Sequence, residues 1–183
     1  MKSSVFKKEN ILKKIIMVST NNTCRSFIAE SILRQYLLDA DQKNVEVISR
    51  GLVVLFPEPV HVKAADMVIK TCGIESLDFR SAQLTQEEVE ESDLILTMTE
   101  EQKDKILEEY HGYKEIATLN EYARVEGAII DPYGMEDDDY ERCFEQIARL
   151  VKKIWQERLG GNKMIGICLL YTSPSPRDKR QSR

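Results

Sequence analysis

The strongest constraint on this chain is an apolar run that breaks into a polar loop and restarts as a helix. Ile15-Ile16-Met17-Val18 leads directly into Ser19-Thr20-Asn21-Asn22-Thr23-Cys24-Arg25-Ser26, and Phe27 to Leu38 follows with apolar residues at helical spacing. A short apolar block between polar residues reads as a strand buried on both faces, which is the habit of parallel sheets. A buried strand, a short loop and a helix start together make a place to hold an anion. Successive loop N–H groups converge on the charge, and the helix N-terminus adds partial positive charge. Arg25, at the end of the loop, can fork two N–H donors onto phosphate-type oxygens.

The rest of the chain repeats the alternation. Asn44 to Gly51 reads as a second strand, ending at a turn. Leu52 to Val60 is an apolar loop broken by Pro57 and Pro59, and Val62 to Thr71 has helical spacing with Gly73 as its stop. Thr85 and Glu88 make a capping box for another helix. Asp93 to Met98 reads as a third strand, Glu100 to Tyr110 as a helix opened by Thr99, and Ile116 to Leu119 as a short fourth strand. A long loop through Asp131-Pro132-Tyr133-Gly134 then leads to a final helix from about Asp138 to Leu159, striped with Cys143, Ile147, Leu150, Val151 and Ile154. Alternating strands and helices predict an α/β fold: a single three-layer domain, a parallel sheet with helices on both faces. Ligands of such sheets sit at the carboxyl ends of strands, which is where the Ser19–Ser26 loop falls.

The expected boundaries are a flexible N-terminus over 1–10, one domain over 11–160, and a linker and tail over 161–183. Lys163-Met164-Ile165-Gly166-Ile167 looks like the opening strand of another α/β unit. The stretch from Cys168 onward is rich in Ser, Pro and Arg and reads as adapter-derived sequence; the rival reading is a disordered basic tail.

Composition removes several function classes. At 183 residues and 42% hydrophobic the chain suits one soluble domain, and a formal net charge of −5 argues against nucleic acid as a partner. No apolar run reaches the length of a membrane span, and the N-terminal stretch lacks a signal-peptide pattern, so a cytoplasmic location is expected. Cys24, Cys72, Cys143 and Cys168 show no paired metal spacing. His61 and His111 stand alone and read as surface residues, and Asp137-Asp138-Asp139 reads as a helix start, so no metal site is expected.

With cysteine at position 19 the loop would read Cys-x5-Arg-Ser. The chain resembles the low-molecular-weight protein phosphatases, whose loop usually runs Cys-x-Gly-Asn-x-Cys-Arg-Ser-Pro. It keeps Asn22, Cys24, Arg25 and Ser26, and departs at Ser19, Asn21 and Phe27. The resemblance spans about Lys14 to Leu159. It implies a four-stranded sheet in the order 2-1-3-4 and a two-step phosphoryl transfer without metal or organic cofactor. A thiolate attacks phosphorus, and water then hydrolyses the phospho-enzyme. Asp131, before Pro132, would be the general acid and base, a role commonly worth about 10²–10⁴-fold. Thr20, Asn21, Asn22, Thr23, Cys24, Arg25, Ser26 and Tyr133 would surround the substrate, a phosphorylated protein or small phosphate ester. Ser49 would join Asn22 in bracing the loop, whereas Phe79 replaces a histidine of that bracing. Ser26 serves either as an N-cap or as a partner of residue 19, or as both. Cys24 is either a small buried hydrophobe or a redox partner. Thr23 resembles the arginine phosphatases of the family and tilts the expectation toward phosphoarginine over phosphotyrosine.

Ser19 decides the chemistry. A cysteine beside an arginine at a helix N-terminus ionises near neutral pH. A serine hydroxyl needs an adjacent base, and none is evident in the sequence. Phosphate binding is therefore expected to survive with phosphoryl transfer weakened. The alternatives are a non-catalytic phosphoprotein-binding module, or the front part of a fusion with a sugar-phosphate isomerase. Oligomeric state is not written in the sequence.

Overall fold

The computed structural model describes residues 14–76 and 78–160. Its elements are β1 (Lys14–Ser19), α1 (Arg25–Asp39), β2 (Glu46–Gly51), α2 (Val62–Cys72), α3 (Gln86–Glu91), β3 (Leu94–Thr97), α4 (Glu100–Glu109), β4 (Ile116–Thr118), α5 (Leu119–Ala123) and α6 (Asp137–Arg158). The four strands form one sheet in the order β2-β1-β3-β4, every neighbouring pair parallel. The expected fold class and strand order are both observed.

The central strand shows how the layers arise. Side chains alternate across a strand, so Ile15 and Met17 enter one core while Ile16 and Val18 enter the other. The first core lies under α1, α2 and α6 and includes Ile28, Leu33, Ile147 and Ile154. The second, with Leu84, Val89 and Ile106, lies under α3 and α4. These four apolar residues of β1 are fully buried. Full burial of such a side chain contributes about 1.5–3 kcal/mol. β1 is thus fixed on both faces, and the loop leaving its carboxyl end starts from a rigid point.

Three local expectations change. β2 begins at Glu46, two residues later than its apolar pattern suggested. The long connection after β4 contains α5, whose capping box (Thr118 with Glu121) is legible in the sequence. α1 begins at Arg25 with Cys24 as N-cap, so Ser26 lies inside the first turn rather than at the cap. The expectations for 1–10 and 161–183 fall outside the described residues. No helix among the described residues is long and apolar enough to cross a membrane.

Candidate active site

The loop between β1 and α1 is held from outside by its carbonyls. Ser19 O accepts from Leu52 N at 3.1 Å, Thr20 O from Val53 N at 2.8 Å, and Thr23 O from His61 N at 2.8 Å. All three donors lie in or beside the connection from β2 to α2. A trans peptide points its N–H opposite to its C=O. Turning these carbonyls outward therefore aims the following N–H groups, those of Thr20, Asn21 and Cys24, into the loop. Asn22 supplies the turn, with φ of 59°, a left-handed conformation asparagine tolerates better than most residues. Gly51 makes room for it. A Cβ there would sit 2.5 Å from Val54 Cγ2 and 3.1 Å from both Asn21 C and Thr20 O.

A buried polar chain braces the loop from inside. The hydroxyls of Ser19 and Ser26 meet at 2.7 Å. Asn22 donates through Nδ2 to Ser26 Oγ at 2.9 Å and to Ser49 Oγ at 2.8 Å, while its Oδ1 accepts from Ala82 N at 3.1 Å. Ser49 Oγ in turn donates to Glu30 Oε2 at 2.6 Å. Glu30 is 8% exposed and is paired with Arg34 at 3.1 Å. Buried polar groups are tolerated when each finds a partner, and here the Glu30 carboxylate anchors the series. Glu30 escaped the sequence reading, since only the fold turns its face of α1 toward Ser49 of β2. Ser19 is fully buried, and its remaining contact is Asn22 N at 3.3 Å. Its hydrogen-bond partners are a hydroxyl and an N–H, with no carboxylate or imidazole among them.

Arg25 and Asp131 come together although 106 residues separate them, with Arg25 Nη2 donating to Asp131 Oδ2. Arg25 is almost wholly buried and Asp131 about half exposed. Tyr133 N donates to Asp131 Oδ1 at 3.2 Å, which sets the turn that Pro132 begins. Thr20, Arg25 and Asp131 line a cleft of about 370 Å³ together with Leu52, Val53 and Ile129. Tyr133 is 76% exposed and outside that lining. Asn21 and Thr23 are half-buried in the loop.

Burial pushes the Cys24 thiol up to about 12, with Cys143 adding to the effect and Arg25 opposing it. Cys24 packs against the main core and is a free thiol. At neutral pH it is protonated, which fits the small buried hydrophobe among its two readings. His61 corrects an expectation. It is not a plain surface residue: it stacks on Tyr140 with ring centroids 4.8 Å apart, and its Nδ1 is buried without a partner. Phe27 and Phe79, two of the departures from the resembled pattern, touch each other edge to face at 4.6 Å between centroids. Gln102 was also missed. It is 6% exposed, its Oε1 accepts from Met98 N and Thr99 N at 3.0 and 3.2 Å, and its Nε2 donates to Thr20 Oγ1 at 3.1 Å. One carboxamide thus caps α4 and holds the loop. Among the described residues no group of three or more His, Cys, Asp or Glu could hold a metal ion.

Comparison with known proteins gives this arrangement its relatives. Residues 14–163 match the family model described as low molecular weight phosphotyrosine protein phosphatase. The low molecular weight protein-tyrosine-phosphatase PtpB of Staphylococcus haemolyticus (strain JCSC1435) is 36% identical over 141 residues, 77% of this chain and 96% of that protein. The crystal structure of a low molecular weight protein tyrosine phosphatase from T. tengcongensis superposes with a TM-score of 0.72 at 31% identity, covering 78% of this chain and 97% of that one. A cysteine-to-serine mutant of the YwlE arginine phosphatase, described as having a phosphorylated active-site serine, superposes with a TM-score of 0.70 at 29% identity over 79% of this chain and 97% of its own. The chain belongs to the low molecular weight phosphotyrosine protein phosphatase family.

Proposed function

We propose that this chain recognises phosphorylated protein side chains through the Thr20–Ser26 loop and Arg25, and that Ser19 halts the family's reaction after phosphoryl transfer. The observation that carries this reading is the position of Ser19. Its Oγ is buried at the base of the loop, 2.7 Å from Ser26 Oγ and 3.3 Å from Asn22 N, with no carboxylate or imidazole among its hydrogen-bond partners. In the proposed first step Ser19 Oγ attacks phosphorus as the bond to the leaving atom breaks. Asp131 gives the leaving atom a proton, and the Ser19 proton passes to a phosphoryl oxygen. The step is slow because a hydroxyl holds its proton more tightly than a thiol, whose ordinary value is near 8.5. Losing a nucleophile of a catalytic unit can cost about 10⁴-fold or more.

The second step suffers further. Water attacking phosphoserine must expel an alkoxide, a far poorer leaving group than a thiolate, so the phosphoryl group stays on Ser19. The phosphorylated serine described for the YwlE mutant supports this. Asp131 pairs with Arg25 in the free protein, and phosphate binding at Arg25 would release its carboxyl to act as the acid. Thr23 and the likeness to an arginine phosphatase favour phosphoarginine as the substrate class; the PtpB relative supports phosphotyrosine.

Incubation with a phosphoarginine peptide, with a phosphotyrosine peptide and with an aryl phosphate tests the reading. Intact-mass analysis should show one added phosphoryl group, absent from Ser19→Ala, with product stoichiometric rather than catalytic. Ser19→Cys should turn over. Rapid multiple turnover by the unaltered chain would overturn the reading.

A further inference from the structure

Gln102 uses its carboxamide in a way that a helix cap does not require. A capping box needs only the side-chain oxygen on the N-cap N–H, and Thr99 with Gln102 forms that box at the start of α4. Here the oxygen also accepts from Met98 N, and Nε2 reaches Thr20 Oγ1, 82 residues away in sequence. Two backbone N–H groups can meet only the oxygen of a carboxamide. The group therefore has one orientation, and Nε2 can only donate to Thr20. A hydroxyl that accepts one bond still has its own hydrogen to give. Among the described residues Thr20 Oγ1 has no second partner. Thr20 is exposed, lines the cleft beside Arg25, and already turns its backbone N–H into the loop. An N–H behind the hydroxyl leaves no acceptor on that side, so its hydrogen is directed to the open cleft.

We propose that Thr20 donates its hydroxyl hydrogen to the bound phosphoryl group, and that Gln102 is the positioning residue that fixes this direction. The inference rests on the proposed recognition of phosphorylated side chains and adds to it a donor outside the loop's own N–H groups. Gln102 acts through Thr20 and ties the anion site to α4, an element that otherwise contributes no donor to the loop. Gln102→Glu is the informative change. A carboxylate still accepts from Met98 N and Thr99 N, and negative charge suits a helix start, so the cap survives. It has no hydrogen to offer Thr20 and accepts one instead, which turns the hydroxyl away from the anion.

The test titrates inorganic phosphate by calorimetry into the full chain, Thr20→Ser, Thr20→Val, Gln102→Glu and the Thr20→Val, Gln102→Glu double variant. Urea midpoints of all five show that each is folded. Thr20→Ser keeps the hydroxyl and should bind like the unaltered chain. Thr20→Val should bind about tenfold more weakly, because hydrogen bonds to charged groups are the stronger ones. Gln102→Glu should cost more than about tenfold when Thr20 is present, through the lost donor and charge repulsion together. In the Thr20→Val background only the repulsion remains, and the cost should fall to about threefold. A cap that merely supported α4 would give the same factor in both backgrounds. Equal factors, or unweakened binding by Thr20→Val, would overturn the proposal and leave the phosphate site standing. Absence of phosphate binding by the unaltered chain would overturn both this proposal and the reading beneath it.

Discussion

Asn22 is where stability and recognition are most tightly joined, and Asn22→Ala should separate the causes. Its side chain makes three hydrogen bonds, to Ser26, Ser49 and Ala82, and is fully buried. Each such bond contributes about 1 kcal/mol net, and an orphaned buried partner adds to the loss. Its φ of 59° costs alanine about 1 kcal/mol more. The expected destabilisation is about 3–4 kcal/mol, a large part of the roughly 5–15 kcal/mol that holds a domain together. Asn22→Gly keeps the turn and loses only the bonds, so it should recover about 1 kcal/mol of that. Asn22→Asp keeps the acceptor but replaces two donors with buried negative charge and should be the worst of the three for phosphate binding. Urea unfolding of the wild type and the three variants, with and without phosphate, measures all of this. A loss below about 1 kcal/mol for Asn22→Ala would refute the bracing role, and equal losses for Ala and Gly would refute the argument from φ.

Other outcomes follow from the same geometry. Gly51→Ala should loosen the loop and weaken phosphate binding measurably in a thermal-shift assay, since its Cβ would press on Val54 and on the loop backbone. Phe27→Ala and Phe79→Ala should each destabilise the fold yet combine non-additively in a double-mutant cycle, by about 0.5–1.5 kcal/mol; strict additivity would show that the ring contact contributes nothing. Cys24 should resist alkylation at pH 8 in the folded protein and react readily in urea. Burial lifts this thiol from its ordinary value near 9.0 to about 12. Between those values the unfolded chain has released a proton the folded chain still holds, so this thiol's contribution to stability is complete below about pH 9 and declines as pH rises. A Cys24→Ala variant should show a shallower alkaline decline.

The alternation of buried strands and amphipathic helices was enough to place the loop at the carboxyl end of β1, because Ile15 to Val18 form an apolar block too short for a helix and bounded by polar residues. Arg25 and Asp131 were legible as chemical types at marked positions, though only folding brings them into contact. Glu30 and Gln102 were not legible, since a helix-borne Glu or Gln normally faces water, and their burial is set by β2 and the loop. α5 was passed over because a five-residue helix has too little periodicity to register, although its capping box was present. Phe27 and Phe79 looked like two separate departures from the family pattern; their contact makes them one event in space.

The outward-tied carbonyls of Ser19, Thr20 and Thr23 bear on how such a protein changes occupation. None of those three bonds involves the side chain at position 19, so the receptacle for the anion is assembled by the β2–α2 connection whatever atom stands at its base. Exchanging sulfur for oxygen there alters the reaction without dismantling the receptacle. On the proposed function, a lineage can retire the enzyme and keep the reader of phosphorylation by altering one atom, and can reverse that step through the same position.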